Sequence, residues 1–122
     1  MSACQILVVE DDPDLSEVLV QLAEEMGYRV LHAANGSEGL ALLDHNRPSL
    51  MLVDLFMPVM GGIEFLHTVR RRPEWQAIPC VVMTGANDPM VGVKEDVVVL
   101  YKPFDIDALA DVLRQHCSPS AT

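Results

Sequence analysis

The chain is poor in cysteine and in basic residues, and each shortage excludes a class of protein. Its three cysteines, Cys4, Cys80 and Cys117, lie far apart without a CxxC pair. This spacing argues against a zinc site or a disulfide framework and predicts reduced, packed thiols in a cytoplasmic protein. Only 8 of the 122 residues are Lys or Arg, against 18 Asp or Glu, and the formal net charge is −10. Because such a surface repels phosphates, direct nucleic-acid binding is not expected.

Long hydrophobic runs are also missing. No apolar stretch approaches the roughly 18 residues that a membrane helix needs, so membrane insertion is not expected. Half of the residues are nevertheless hydrophobic, which is enough for one folded domain with a real core. We predict one domain over residues 1–117, followed by a linker-like tail over residues 118–122.

Short apolar runs alternate with helical patterns along the whole chain. The runs are predicted as strands over residues 5–9, 29–33, 50–54, 79–84 and 97–101. Helices are predicted after Asp12 as N-cap with Pro13 behind it, after Ser37, from Ile63, and after Asp105. Because most strands are continuous apolar runs and alternate with helices, we expect a five-stranded, doubly wound parallel sheet with helices on both faces.

Chemically active side chains follow the predicted strands. The strand ends carry Glu10 and Asp11, then Asp54, Thr84 and Lys102. Right-handed crossovers place all the carboxyl ends at the same edge of the sheet, although each residue alone reads more simply as a cap or a surface group. Together they suit phosphoryl transfer, because carboxylates can bind Mg²⁺ or attack phosphorus, and an ammonium and a hydroxyl can hold phosphoryl oxygens.

Four segments, read together, resemble the receiver domain of two-component response regulators. They have the sequences ILVVEDDPD, MLVDLFMPVMGG, VVMTG and YKPF and span residues 6–14, 51–62, 81–85 and 101–104. The resemblance covers nearly the full length. It implies a single-domain receiver similar to chemotaxis regulators, with a flavodoxin-like fold and the strand order 2-1-3-4-5.

The resemblance also implies a phosphoacceptor and a metal site. Asp54 would accept the phosphoryl group. Asp11, Asp54 and the main-chain carbonyl of Phe56 would bind Mg²⁺ or Mn²⁺, with Glu10 contributing through a water molecule. Glu10 is a mild departure, since the first acid of this pair is often Asp in the family.

Further implications concern the switch and its partners. Thr84 would be the switch hydroxyl and Lys102 the phosphate-binding lysine, with a cis bond between Lys102 and Pro103. The implied donor is a sensor histidine kinase or a histidine phosphotransfer protein, and an unidentified downstream protein would read the result. A homodimer is compatible with the pattern. Such a domain phosphorylates and dephosphorylates itself, and it is a switch rather than a turnover enzyme.

Two departures from the family pattern concern the output surface. The position of the family's switch aromatic is Val99, and Tyr101 lies on the same face of the strand by alternation. Tyr101 is therefore either a substitute or an ordinary strand residue. Residues 85–96 contain Pro89 and Gly92, so a fourth helix there should be short, distorted or absent.

Two other function classes stay open at this point. A binding-only module would keep the fold without phosphorylation, although the intact Asp54 and Lys102 argue against it. A phosphatase resembling the haloacid dehalogenase family would need a second acid at Phe56. The histidines lack metal-ligand spacing and are assigned surface or packing roles, and the run of arginines from Arg70 to Arg72 is assigned to a helix dipole.

Overall fold

A computed structural model of the protein describes residues 4–57, 59–85 and 98–116. In chain order its elements are β1 (Gln5–Val9), α1 (Pro13–Glu25), β2 (Arg29–Ala33), α2 (Gly36–Leu43), β3 (Leu50–Asp54), α3 (Gly62–Arg70), β4 (Cys80–Gly85), β5 (Val98–Lys102) and α4 (Ile106–His116). The strands form one parallel sheet in the order β2-β1-β3-β4-β5, which confirms the predicted fold class. None of the helices in the described residues combines the length and the apolar composition of a membrane span.

The central strand β3 explains the continuous apolar runs in the sequence. All five of its residues are buried. Met51 and Val53 point into a core layer with Phe65 of α3, whereas Leu50 and Leu52 point into a second layer with α1 and α4. Because both faces of the sheet are covered, every strand position favours an apolar side chain until the strand ends on Asp54.

Three helix ends follow local capping rules. Asp12 accepts the main-chain N–H of Asp14 at 2.9 Å and so caps α1, and Gly27 follows the end of α1 with φ of 93°. Asp105 accepts the N–H of Ala108 at 2.7 Å in front of α4. These ends match the prediction.

The predicted start of α2 is wrong. Asn35, not Ser37, is the N-cap, and its side-chain oxygen accepts the N–H of Glu38 at 3.0 Å. The Glu38 carboxylate reaches back to the N–H of Ala34 at 2.9 Å, in the manner of a capping box. Asn35 therefore satisfies the helix start two residues before Ser37, and Ser37 lies inside the helix.

The last strands end one residue later than predicted. β4 runs to Gly85 and β5 to Lys102, and these two residues are register partners. The Lys102–Pro103 peptide bond is cis, as the resemblance implied. Residues 86–97, where a short or distorted helix was predicted, and residues 117–122 with the predicted tail lie outside the described residues.

The prediction of three reduced thiols is confirmed for Cys80 and wrong for Cys4, and Cys117 lies outside the described residues. Cys80 is free and fully buried, and burial raises the pKa of its thiol to about 12, which fits a packing role. Cys4 is disulfide-bonded, contrary to the prediction. The cysteine-based argument for a cytoplasmic location therefore no longer applies.

Candidate functional site

The carboxyl ends of β1, β3 and β5 meet at one edge of the sheet. Asp54 is the last residue of β3, Glu10 directly follows β1, and Lys102 ends β5. The Lys102 Nζ atom lies 3.2 Å from Asp54 Oδ2 and 3.4 Å from Glu10 Oε1. Both carboxylates are nearly inaccessible, with side chains 8% and 0% exposed. The ammonium group thus joins two buried acids that lie 44 residues apart in the chain.

The three predicted acids form one oxygen-rich group. One carboxylate oxygen from each of Glu10, Asp11 and Asp54 lies within 4.8 Å of the other two. Glu10 and Asp54 are buried, whereas Asp11 is exposed and faces solvent. Oxygen-only donors, two of them desolvated, suit a small hard cation, so these residues fit Mg²⁺ or Mn²⁺.

Burial and charge shift the pKa values of two groups in the cluster. Burial is the largest cause that raises the pKa of Glu10, to about 7, and the neighbouring Asp54 raises it further. The main-chain hydrogen bond from Asp12 and the charge of Lys102 oppose this rise. For Lys102, burial lowers the pKa, but the two carboxylates together raise it by more, so the net shift is upward. The cluster therefore holds its ammonium group firmly and carries excess negative charge that a cation would offset.

The loop after β3 is built tightly around Asp54. The main-chain N–H of Phe56 donates to Asp54 Oδ1 at 3.3 Å, and the N–H of Gly62 donates to the carbonyl of Leu55 at 2.9 Å. A Cβ on Gly62 would collide with the carbonyl oxygen of Asp54. Val59 adopts φ of 69°, a left-handed conformation that is rare for a β-branched residue. The first turn of α3 thus packs against the main chain of Asp54, while Phe56 stays 48% exposed.

Thr84 lies buried near the end of β4, beside the cluster. Its register partner on β5 is Tyr101, whose side chain is 50% exposed, and Val99 is partly buried on the same strand. Because register partners in a parallel sheet share a face, Tyr101 neighbours the Thr84 side chain across the two strands. Its substitution for the aromatic missing at Val99 stays a prediction.

One residue at this edge was missed from the sequence. His32, which had been assigned a surface or packing role, has its Nε2 atom 3.0 Å from the main-chain carbonyl oxygen of Glu10. The available signal was its place one residue before the end of β2, at the same edge of the sheet.

Two of the three arginines at the end of α3 make contacts within the chain. Arg70 Nη1 donates to the carbonyls of Gln76 and Ile78, at 2.9 and 3.0 Å, and so ties the end of α3 to the segment that leads into β4. The guanidinium group of Arg72 stacks over Trp75 at 4.3 Å from the ring centroid. These contacts explain two of the three arginines by packing as well as by the helix dipole.

Fold and site together define the class: a doubly wound α/β domain with an acidic, cation-compatible site at the carboxyl edge of its sheet. A sequence profile described as the response regulator receiver domain matches residues 6–114. The chain belongs to this family, the receiver domains of two-component systems.

Individual relatives agree with this assignment. An uncharacterized 14.6 kDa protein from the sodA1 3′ region of Leptolyngbya boryana is 32% identical over 121 residues, which cover 96% of this chain and 92% of that protein. Sporulation initiation phosphotransferase F of Bacillus subtilis is 33% identical over 116 residues, 92% of each chain. A solved signal receiver domain of a histidine kinase from Syntrophus aciditrophicus has a TM-score of 0.86 at 31% identity, over 93% of this chain and 89% of that one. Several longer curated relatives are matched over about half of their own length or less.

Proposed function

We propose that the chain is a phosphorylation-dependent switch that accepts a phosphoryl group onto Asp54 in the presence of Mg²⁺ or Mn²⁺. The observation that carries the proposal is the placement of the Lys102 ammonium 3.2 Å from Asp54 Oδ2, with the carboxylates of Glu10 and Asp11 within reach on the same edge. The donor would be a sensor histidine kinase or a histidine phosphotransfer protein. The similarity to a Bacillus subtilis protein named a phosphotransferase supports this assignment.

The reaction would be an in-line displacement at phosphorus. A carboxylate oxygen of Asp54 attacks the phosphorus of a phosphohistidine, a P–O bond forms, and the P–N bond breaks with its electron pair returning to the imidazole. The Asp54 carboxylate is oriented beforehand, since Oδ1 accepts the Phe56 N–H and Oδ2 pairs with Lys102. After the transfer, the Lys102 ammonium would pair with a negatively charged phosphoryl oxygen instead of with the free carboxylate.

The cation would be held by Asp11, Asp54 and the main-chain carbonyl of Phe56, with Glu10 acting through a water molecule. A bound Mg²⁺ supplies positive charge that offsets the phosphoryl oxygens and the crowded carboxylates. The buried position of Glu10, whose pKa is raised to about 7, supports this role because such an acid gains most from a nearby cation.

The conformational change that follows phosphorylation would depend on Thr84. Its hydroxyl lies buried near the end of β4, and a hydrogen bond to a phosphoryl oxygen would favour one of two arrangements of the neighbouring β4–β5 surface. Receiver domains are switches rather than turnover enzymes, so a downstream protein would read this surface.

Intact-mass spectrometry after incubation with acetyl phosphate and Mg²⁺ tests the proposal. The wild-type protein should gain one phosphoryl group. Asp54→Asn should gain none, because the amide is not a nucleophile, while Asp14→Asn, which changes an exposed acid on α1, should behave like wild type. Equal phosphorylation of Asp54→Asn and wild type would refute Asp54 as the acceptor.

The same experiment separates the two alternatives. A wild-type protein that gains no phosphoryl group from acetyl phosphate, or from a screen of purified histidine kinases, would be a binding-only module. Steady release of phosphate from varied phosphate esters would indicate a phosphatase. The half-exposed Phe56, at the position where such a phosphatase needs an acid, argues against that outcome.

A further inference from the structure

A histidine of the neighbouring strand, His32 of β2, contacts the main chain of the acidic turn that follows β1. The β1–β2 pairing ends at Val9 and Ala33, and the N–H of Glu10 still donates to the carbonyl of Ala33 at 3.0 Å. The Glu10 carbonyl lies beyond this last pair, and its contact is His32 Nε2 at 3.0 Å. A carbonyl oxygen only accepts hydrogen bonds, so Nε2 carries the proton and donates it.

This contact acts on the peptide unit that joins the two acids. The Glu10 carbonyl and the Asp11 nitrogen belong to one planar group, so a fixed carbonyl direction also fixes the direction in which the Asp11 main chain leaves the strand. Asp11 is exposed, and its position depends on this main chain more than on packing. By contrast, the Glu10 side chain is buried and accepts the N–H of Asp12 at 3.1 Å.

We propose that His32 is a positioning residue for the cation site: its Nε2–H holds the Glu10–Asp11 peptide so that the Asp11 carboxylate stays within reach of Asp54. The inference rests on the proposed function, because it concerns the cation that phosphorylation would need. His32 itself makes no contact with the reacting atoms. Groups that orient the ligands of a metal in this way typically alter metal affinity when they are changed.

Two substitutions at this position test whether the N–H donor is needed or the imidazole ring itself. The amide nitrogen of Gln ends where Nε2 of His lies, so His32→Gln keeps an N–H in reach of the Glu10 carbonyl. The shorter His32→Asn is also a polar amide but cannot reach it. His116→Asn is the matched control, since His116 Nδ1 also lies 3.0 Å from a main-chain carbonyl, that of Val112, far from the site.

Isothermal titration with Mg²⁺ on the full chain measures the effect, alongside urea unfolding in EDTA. We expect His32→Asn to weaken Mg²⁺ binding about tenfold, His32→Gln to restore most of the affinity, and His116→Asn to bind like wild type.

A purely structural role would instead lower the free energy of unfolding in EDTA and leave the Mg²⁺ affinity unchanged, which would overturn the inference. Equal affinities for the Asn and Gln variants would also overturn it, because the donor would then not matter. If the wild type binds no Mg²⁺, the proposed function fails together with this inference. If the wild type binds Mg²⁺ and His32→Asn binds it equally tightly, only the inference is refuted.

Discussion

At the scale of single residues, Glu10 is the group most affected by its surroundings. Its side chain is fully buried between Asp54 and Lys102, and desolvation is the main reason why its pKa lies at about 7. The ammonium of Lys102 stabilises the charged form, but it is shared with Asp54 at a slightly shorter distance. In metal-free protein near neutral pH, the charged form of this acid is therefore costly.

A dependence of stability on pH follows from Glu10. Because its pKa in the folded state, about 7, lies above the ordinary value of 4.5, the folded state binds this proton more tightly than the unfolded state. The stabilising contribution is fully present below about pH 4.5 and is lost as the pH rises through 7. In EDTA, Glu10→Gln should therefore become more stable relative to wild type between pH 5 and pH 8, by on the order of a few kcal/mol.

Urea unfolding of both proteins across this pH range measures the difference. Glu24→Gln, which changes an exposed acid on α1, is the control and should follow the wild-type profile. Parallel profiles for Glu10→Gln and wild type would show that Glu10 is not the group responsible.

At the scale of secondary-structure elements, the contact between the end of β3 and the start of α3 shapes the surroundings of Asp54. The helix begins at Gly62 without a side-chain cap, and its first turn lies directly against the main chain of Asp54 and Leu55. The Gly36 N–H donates to the Met60 carbonyl at 2.9 Å, so the loop between these elements is also tied to α2. The main chain around Asp54 is therefore held between β3, α3 and α2.

Gly62→Ala tests this close approach. The added methyl group would collide with the Asp54 carbonyl, so β3 and α3 would have to move apart, and we expect a loss of about 1–3 kcal/mol in the free energy of unfolding. Urea unfolding measures it. Gly61→Ala is the neighbouring control and should cost less, since its Cβ would lie 3.1 Å from the Leu55 carbonyl. A Gly62→Ala protein as stable as wild type would mean that the helix can shift freely.

At the scale of the whole molecule, the net charge of −10 bears on stability. A large net charge of one sign opposes the compact state, and any salt screens part of this repulsion. Three acids within 4.8 Å of one another concentrate the repulsion at a single edge of the sheet. A divalent cation bound at this edge should stabilise the fold by more than the screening of charge repulsion by salt does.

A comparison of Mg²⁺ with Na⁺ at equal ionic strength separates binding from screening. At a Mg²⁺ concentration one hundred times its dissociation constant, the wild type should gain about 2.7 kcal/mol in the free energy of unfolding over the Na⁺ sample. Asp11→Asn should lose this extra gain, because it removes the exposed carboxylate of the proposed cation site, whereas Asp107→Asn on α4 should keep it. Equal stabilisation of the wild type by the two salts would indicate screening only.

Most of the fold could be predicted from local sequence patterns. Continuous apolar runs predicted strands buried on both faces, and Asp12, Gly27 and Asp105 marked helix ends correctly, since a cap acts within three or four residues. The residues of the candidate site could be listed for a similar reason: each lies within two residues of a strand end, and parallel strands bring their carboxyl ends to one edge. Their roles stay predictions. Ser37 failed as a cap because Asn35, two residues earlier, also fits the rule.

The relations between residues that are distant in the chain could not be predicted in this way. The sequence could not show that Lys102 lies between Glu10 and Asp54, that burial raises the pKa of Glu10, or that His32 donates to the Glu10 carbonyl. These features depend on sheet register and on side-chain direction between strands that are not adjacent in the sequence. The disulfide of Cys4 was missed for the same reason. Local rules act along the chain over a few residues, whereas desolvation, charge pairing and disulfide formation depend on distances that the packed sheet sets.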